Sequence, residues 1–111
     1  MFKLYSDINN YNYIIINCLI KCLYNINEVF INAIKYNYIK AIKLLLKDKQ
    51  VNPSSYHNYA IILAAENGHL EVVKLLLKDK RVNLIDYYNY AINFACSNEH
   101  LKIVELLLRY K

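Results

Sequence analysis

The chain has 111 residues and a formal net charge of +5, a length that allows one domain. With 57% hydrophobic residues it is no disordered tail, and with one Gly and one Pro it is neither collagen-like, linker-like nor turn-rich all-β. Three Cys are too few and too odd for a disulfide scaffold, and no apolar run approaches the roughly 18 residues of a membrane span. Asn, Ile, Lys and Tyr make up nearly half the chain, while Thr and Trp are absent. Those four residues share A/T-rich codons, so single Tyr, Asn or Lys residues carry little weight as signs of a site. The positive charge takes the same discount, since a mild Lys excess along helices is usually a solvated face.

The dominant signal is an internal repeat. Residues 51–80 and 82–111 align without a gap and are identical at 16 of 30 positions, a period of 31. In chain order, residues 1–19 fit this period least well. Ile8, Ile14 and Ile15 fall in register with Ile39, Leu45 and Leu46, which suggests a degenerate half-repeat capping the stack. The alternative is one continuous helix from Tyr13 to Tyr24. Asp7, Asn17 and Lys21 interrupt the apolar stretch, so no cleaved secretory signal is expected. With unpaired Cys, a reducing intracellular compartment is the default.

Residues 20–50 read as a degenerate unit: Ile31, Ala33, Ile39, Ile42, Leu44, Leu45 and Leu46 fall on Ile62, Ala64, Leu70, Val73, Leu75, Leu76 and Leu77. Asn27, Asn58 and Asn89 also stand in register. Residues 51–81 form the clearest unit. Its first helix is predicted from Tyr59 to Glu66, with Asn58 as N-cap because an Asn oxygen accepts an orphan backbone N–H. Gly68 stands where a helix C-terminus favours a left-handed residue. The second helix is predicted from Leu70 to Lys78, with Leu70, Val73, Leu76 and Leu77 on one apolar face. Residues 82–111 repeat the pattern. Asn37 and Glu99 take the place of Gly68, so Glu99 should be strained. Because the sequence stops at Lys111 with no polar capping repeat, Ile103 and Leu107 are expected to be partly exposed. Such units have apolar surface on two sides and bury it by stacking, which predicts an all-α solenoid of helix–turn–helix units.

The stretch Leu63-Ala64-Ala65-Glu66-Asn67-Gly68-His69-Leu70-Glu71-Val72-Val73-Lys74-Leu75-Leu76-Leu77 resembles the core of the ankyrin repeat almost letter for letter, and Phe94 through Leu108 resembles a looser copy. The resemblance spans roughly residues 20–111. The chain departs from the family at its Thr-Pro-Leu-His opening, replaced by Tyr59-Ala60-Ile61-Ile62 and Tyr90-Ala91-Ile92-Asn93, and in its shortened connections. That short form, with Val51-Asn52-Pro53-Ser54 in the connection and Asn58-Tyr59-Ala60-Ile61 at the helix start, is similar to ankyrin proteins of large DNA viruses of amoebae. The resemblance implies a non-catalytic module that binds a protein partner, needs no cofactor, and works in the host cytoplasm if viral. It also implies a concave surface made by the connection tips and the exposed side of the first helices. Mapped onto this chain, that surface comprises Tyr56, His57, Asn58, Glu66 and Asn67, then Tyr87, Tyr88, Asn89, Ser97 and Asn98. Tyr56 and Tyr87 either line this surface or pack beneath the connections; His57 and Tyr88 are expected to be exposed.

Other chemistry is poorly supported by the residues. His69 and His100 are expected at the inter-helix turn, where the resemblance implies a ring bonded to local backbone. Cys18 and Cys22 are four apart with no second pair, so a zinc site is not indicated. Cys96 replaces Ala65 and is expected to be buried. One Gly cannot build a phosphate loop, and neither a Ser-centred elbow nor a paired acidic motif appears, so no enzymatic activity is expected. Lys47-Asp48-Lys49 and Lys78-Asp79-Lys80-Arg81 lie beside Tyr-rich connections and could contact phosphates and bases. The alternating Asp residues argue against a nucleic-acid stripe, and against an acidic membrane surface, in favour of solvated helix ends. A monomer or weak homo-oligomer is expected.

Overall fold

A computed structural model describes residues 25–82 and 88–110. Among them stand six α-helices and no strand: α1 (Ile26–Lys35), α2 (Ile39–Leu46), α3 (Ser55–Asn67), α4 (Leu70–Lys78), α5 (Tyr88–Ser97) and α6 (Leu101–Tyr110). Helix α3 packs against both α1 and α5, and α4 against both α2 and α6. Each first helix also packs against the second helix of its own pair. The result is a two-layer stack of helical hairpins, the all-α repeat architecture expected. The half-repeat or helix expected before residue 25, with Cys18 and Cys22, lies outside the described residues, as does Tyr87.

Small residues draw the first layer together. Ala33, Ala64 and Ala95 recur one period apart and are fully buried, as are Ala60 and Ala91. A methyl group holds neighbouring helices at the closest side-chain-bearing separation. Phe30, Ile34, Ile42, Ile61, Leu76 and Leu107 are the largest fully buried side chains and fill the core. Each is worth about 1.5–3 kcal/mol of burial. In α4 the buried residues are Val72, Val73 and Leu76, while Leu70 and Leu77 are half-buried at its flanks. The predicted face is therefore rotated slightly toward Val72.

The inter-helix turns repeat atom for atom. Tyr38, His69 and His100 donate their backbone N–H groups to the carbonyls of Ala33, Ala64 and Ala95, each at 2.9 Å. Between them Asn37, Gly68 and Glu99 have φ of 58°, 75° and 60°. This is the left-handed helix terminus that glycine favours and that costs other residues steric strain. The strain expected at Glu99 is thus present.

Helix entry differs from expectation. Asn25 caps α1, its side chain accepting the Asn27 N–H at 2.9 Å. Asn58 is instead part of a left-handed turn, Tyr56–His57–Asn58, with φ of 56°, 58° and 63°. Regular α3 begins at Tyr59, as predicted, but Asn58 is buried, with only 1% exposure, rather than sitting on an open tip.

The C-terminal pair corrects another expectation. Ile103 and Leu107 are buried, and the exposed apolar residues of α6 are Leu101 and Leu108. Residues 103 and 107 lie four apart on one helix face, and both join the core of the stack, where α6 packs on α5 and α4. Residues 101 and 108 lie two turns apart on the opposite side.

Arg81 ties the connections together. Its Nη1 donates to the carbonyls of Asp48 (3.0 Å) and Val51 (2.7 Å), and its Nη2 donates to the carbonyl of Leu46. Asp79 holds the guanidinium in place, at 3.0 Å from Nε and 2.8 Å from Nη2. This pairing lowers the Asp79 pKa below the ordinary carboxylate value. The Asn52 N–H donates to Asn27 Oδ1 at 2.8 Å, a further bond between successive units.

Candidate functional site

The candidate surface is built by the left-handed turn Tyr56–His57–Asn58 in the first part of α3 and by the exposed sides of α3 and α5. Tyr56 and His57 lie on that turn and are exposed, Tyr56 by 55%. The alternative for Tyr56, packing under the connection, is thereby excluded. Glu66 and Asn67 are exposed at the end of α3, and Ser97 and Asn98 occupy the same register at the end of α5. Because α3 and α5 pack side by side, the stack brings these two pairs to one edge. Asn98 is oriented there by its own Nδ2, which donates to the Phe94 carbonyl at 2.8 Å. Asn89 is exposed at the start of α5.

Two expected members do not belong to this surface. Asn58 is buried in the turn that presents its neighbours. Tyr88 is only 5% exposed, and its hydroxyl donates to the Leu107 carbonyl at 2.6 Å. The hydroxyl satisfies a carbonyl of α6 and locks α5 to α6, so Tyr88 is a core residue. Burial, joined by the neighbouring Tyr110, raises its pKa to about 12. Residues that the sequence reading passed over take its place. Tyr59 and Tyr90, one period apart, are exposed by 43% and 50%, and Phe94 is exposed on α5. The signal was their identity between repeats at the start of each first helix, opposite the buried alanines.

The histidines bond backbone, but across the stack and not locally. His69 Nε2 lies 3.3 Å from the Lys35 carbonyl, and His100 Nε2 lies 3.1 Å from the Glu66 carbonyl. Lys35 and Glu66 are themselves one period apart. Each ring therefore joins its unit to the one before, and acid–base work at these rings has no geometric support. Cys96, expected to be buried like Ala65, is exposed and free. No described element covers the outer side of α5 as α5 covers that of α3.

The basic segment after α4 is partly consumed by structure, since the Arg81 guanidinium serves three carbonyls and Asp79. Lys78 and Lys80 are exposed. At the first turn, the Lys35 Nζ lies 5.6 Å from the Tyr36 ring centre. Among the described residues no group of three or more His, Cys, Asp and Glu is placed to hold a metal ion. None of the described helices is long and apolar enough to cross a membrane.

No curated protein and no solved structure matches the chain. The family model described as ankyrin repeats, in three copies, matches it over residues 5–86 and again over residues 30–111. The helical hairpins stacked at a 31-residue period, the left-handed turns at Asn37, Gly68 and Glu99, and that match agree, and the chain belongs to the ankyrin-repeat family.

Proposed function

We propose that the chain is a non-catalytic protein-binding module whose partner docks on the edge formed by Tyr56, His57, Tyr59, Glu66, Asn67, Tyr90, Ser97 and Asn98. The observation that carries this reading is the exposure of Tyr56, Tyr59 and Tyr90 on adjacent elements of one stack. Exposed tyrosines offer large, rather rigid contact area with a polar tip, and aromatic residues dominate the energetics of most interfaces. Ankyrin repeats generally act by binding proteins, which supports the same reading. The short repeat and the A/T-rich composition favour a viral source and work inside a host cell. Nucleic acid is the weaker reading, because the Arg81 guanidinium is engaged and the remaining lysines are interrupted by Asp48 and Asp79.

Affinity purification from the native or infected cell, with and without nuclease, tests the class of partner. A nuclease-resistant protein supports the proposal, whereas loss of all partners on nuclease treatment promotes nucleic acid. With the partner in hand, combined Tyr56→Ala, Tyr59→Ala and Tyr90→Ala should weaken binding by about tenfold or more while helicity persists. Undiminished binding by that variant would refute the placement of the site.

A further inference from the structure

We infer that the outer face of the second-helix layer, built by α2, α4 and α6, is a docking surface for an anionic lipid bilayer. This face lies on the layer opposite the edge proposed for the protein partner, and the two readings stand independently. The argument starts from helical spacing. In each second helix, three positions at i, i+3 and i+7 lie on one side. All nine are exposed, and all nine are charged. Lys47, Lys78 and Arg109 stand at the helix ends, one period apart, with no acid in their row. One turn earlier stand Lys43, Lys74 and Glu105, and at the helix starts Lys40, Glu71 and Lys102. Glu71 is paired with Lys74 at 3.5 Å. Because α4 packs against both α2 and α6, the nine positions share one surface.

The distribution of charge carries the inference. This face holds seven of the chain's 14 Lys and Arg and two of its nine Asp and Glu, a net charge of +5. That is the net charge of the entire chain, so all its other charges cancel. A/T-rich codons enrich Lys along the whole sequence, but they do not gather the excess on one layer. In the sequence, Asp48 and Asp79 alternate with lysines and count against an anionic surface. The fold takes both acids off this face, into the connections. Asp79 is turned onto Arg81 with its side chain only 14% exposed, and Asp48 Oδ1 accepts the Gln50 N–H at 2.8 Å. The face also runs along the side of the stack, where a neighbouring unit would lengthen it and not cover it.

The same features select the partner. Protein interfaces close around an apolar, Lys-poor centre, whereas every position counted here is charged. Single-stranded nucleic acid gains from stacking on aromatic rings, and the exposed Tyr56, Tyr59 and Tyr90 belong to the opposite layer. An anionic bilayer needs neither feature. Its headgroups are mobile and accept cations at any spacing across a broad layer of parallel helices. With the basic face on the bilayer, the tyrosine edge stays in water and open to its partner.

Cosedimentation of the full-length protein with vesicles of about two parts phosphatidylcholine to one part phosphatidylserine tests this, beside vesicles of phosphatidylcholine alone. The protein should bind only the phosphatidylserine vesicles at about 0.1 M salt and be released near 1 M, as the Debye length falls from about 10 Å to about 3 Å. Lys47→Gln/Lys78→Gln/Arg109→Gln should weaken binding by about a hundredfold, roughly fivefold per cation, with the helical circular dichroism retained. Adding Glu28→Gln/Glu66→Gln/Glu99→Gln to that variant restores the net charge from the opposite layer and should not restore binding. Those sites lie roughly 20 Å from the bilayer, across two helix diameters, where salt screens them. Tyr56→Ala/Tyr59→Ala/Tyr90→Ala should leave vesicle binding intact, so failure of the partner edge and failure of this face are told apart. No excess binding to phosphatidylserine vesicles overturns the inference, as does undiminished binding by the Lys47/Lys78/Arg109 variant or its rescue by the three glutamate substitutions. Tighter binding of a duplex oligonucleotide or of polyglutamate than of the vesicles, lost in the same variant, would assign the face to nucleic acid or to an acidic protein and overturn it too.

Discussion

Replacing Arg81 should destabilise this protein more than its surface position suggests. The guanidinium donates to the carbonyls of Leu46, Asp48 and Val51, which close the end of α2 and the connection that follows. Hydrogen bonds to a charged donor are worth about 1.5–3 kcal/mol when shielded, but the Arg81 side chain is 35% exposed, so the lower end applies. The ion pair with Asp79 adds no more than about 1 kcal/mol once solvent screening is included. Arg81→Ala should then cost about 2–3 kcal/mol, because three carbonyls lose their donor together. Arg81→Lys should recover less than half of that, since one ammonium cannot span the carbonyls and the carboxylate as a planar fork does. Asp79→Asn should cost about 1 kcal/mol or less. Urea denaturation followed by helical circular dichroism, at low and high salt, measures all three. If Asp79→Asn costs as much as Arg81→Ala, or if high salt erases the Arg81→Ala effect, the ion pair is the main term and the reasoning fails. A loss below about 0.5 kcal/mol for Arg81→Ala would refute the staple altogether. Acid unfolding adds a sign. The Asp79 pKa is lowered in the folded chain from 3.8, so its contribution is present above that value and disappears as pH falls through the lower folded pKa. Asp79→Asn should flatten that part of the acid profile.

Other outcomes follow from single contacts. Leu76→Ala should cost about 2–5 kcal/mol, because Leu76 is fully buried in α4; an unchanged melting temperature would contradict the packing. Glu99→Gly should stabilise by about 1 kcal/mol, by relieving a left-handed residue at φ 60°, and thermal denaturation should show the rise. Tyr88→Phe should cost about 1–2 kcal/mol, by leaving the Leu107 carbonyl without its donor. The raised Tyr88 pKa of about 12 means that its stabilising effect is complete below 10.0 and is lost as pH rises toward 12. Denaturation curves for Tyr88→Phe and the parent should therefore converge over that window.

The sequence by itself determined the stack. Two 30-residue stretches identical at 16 positions, each with an apolar helical face it cannot bury alone, leave side-by-side packing as the way to cover that surface. The second helix from Leu70 to Lys78 and the left-handed turns at Asn37, Gly68 and Glu99 were equally legible, because helix ends and positive φ are local and leave local marks. Exposure was not legible in that way. Nothing in the sequence around Tyr88 marks it as a core residue, yet it is buried and its hydroxyl meets a carbonyl on α6, nineteen residues on. Asn58 reads as a cap and is buried, and Arg81 reads as one more cation and is a tie between connections. Cys96 copies a buried alanine and is exposed, because burial at that position depends on whether another unit lies against it. Each of these outcomes was decided by what tertiary packing placed opposite the residue, and a repeat that writes the same side chain into every unit cannot record which units have a neighbour.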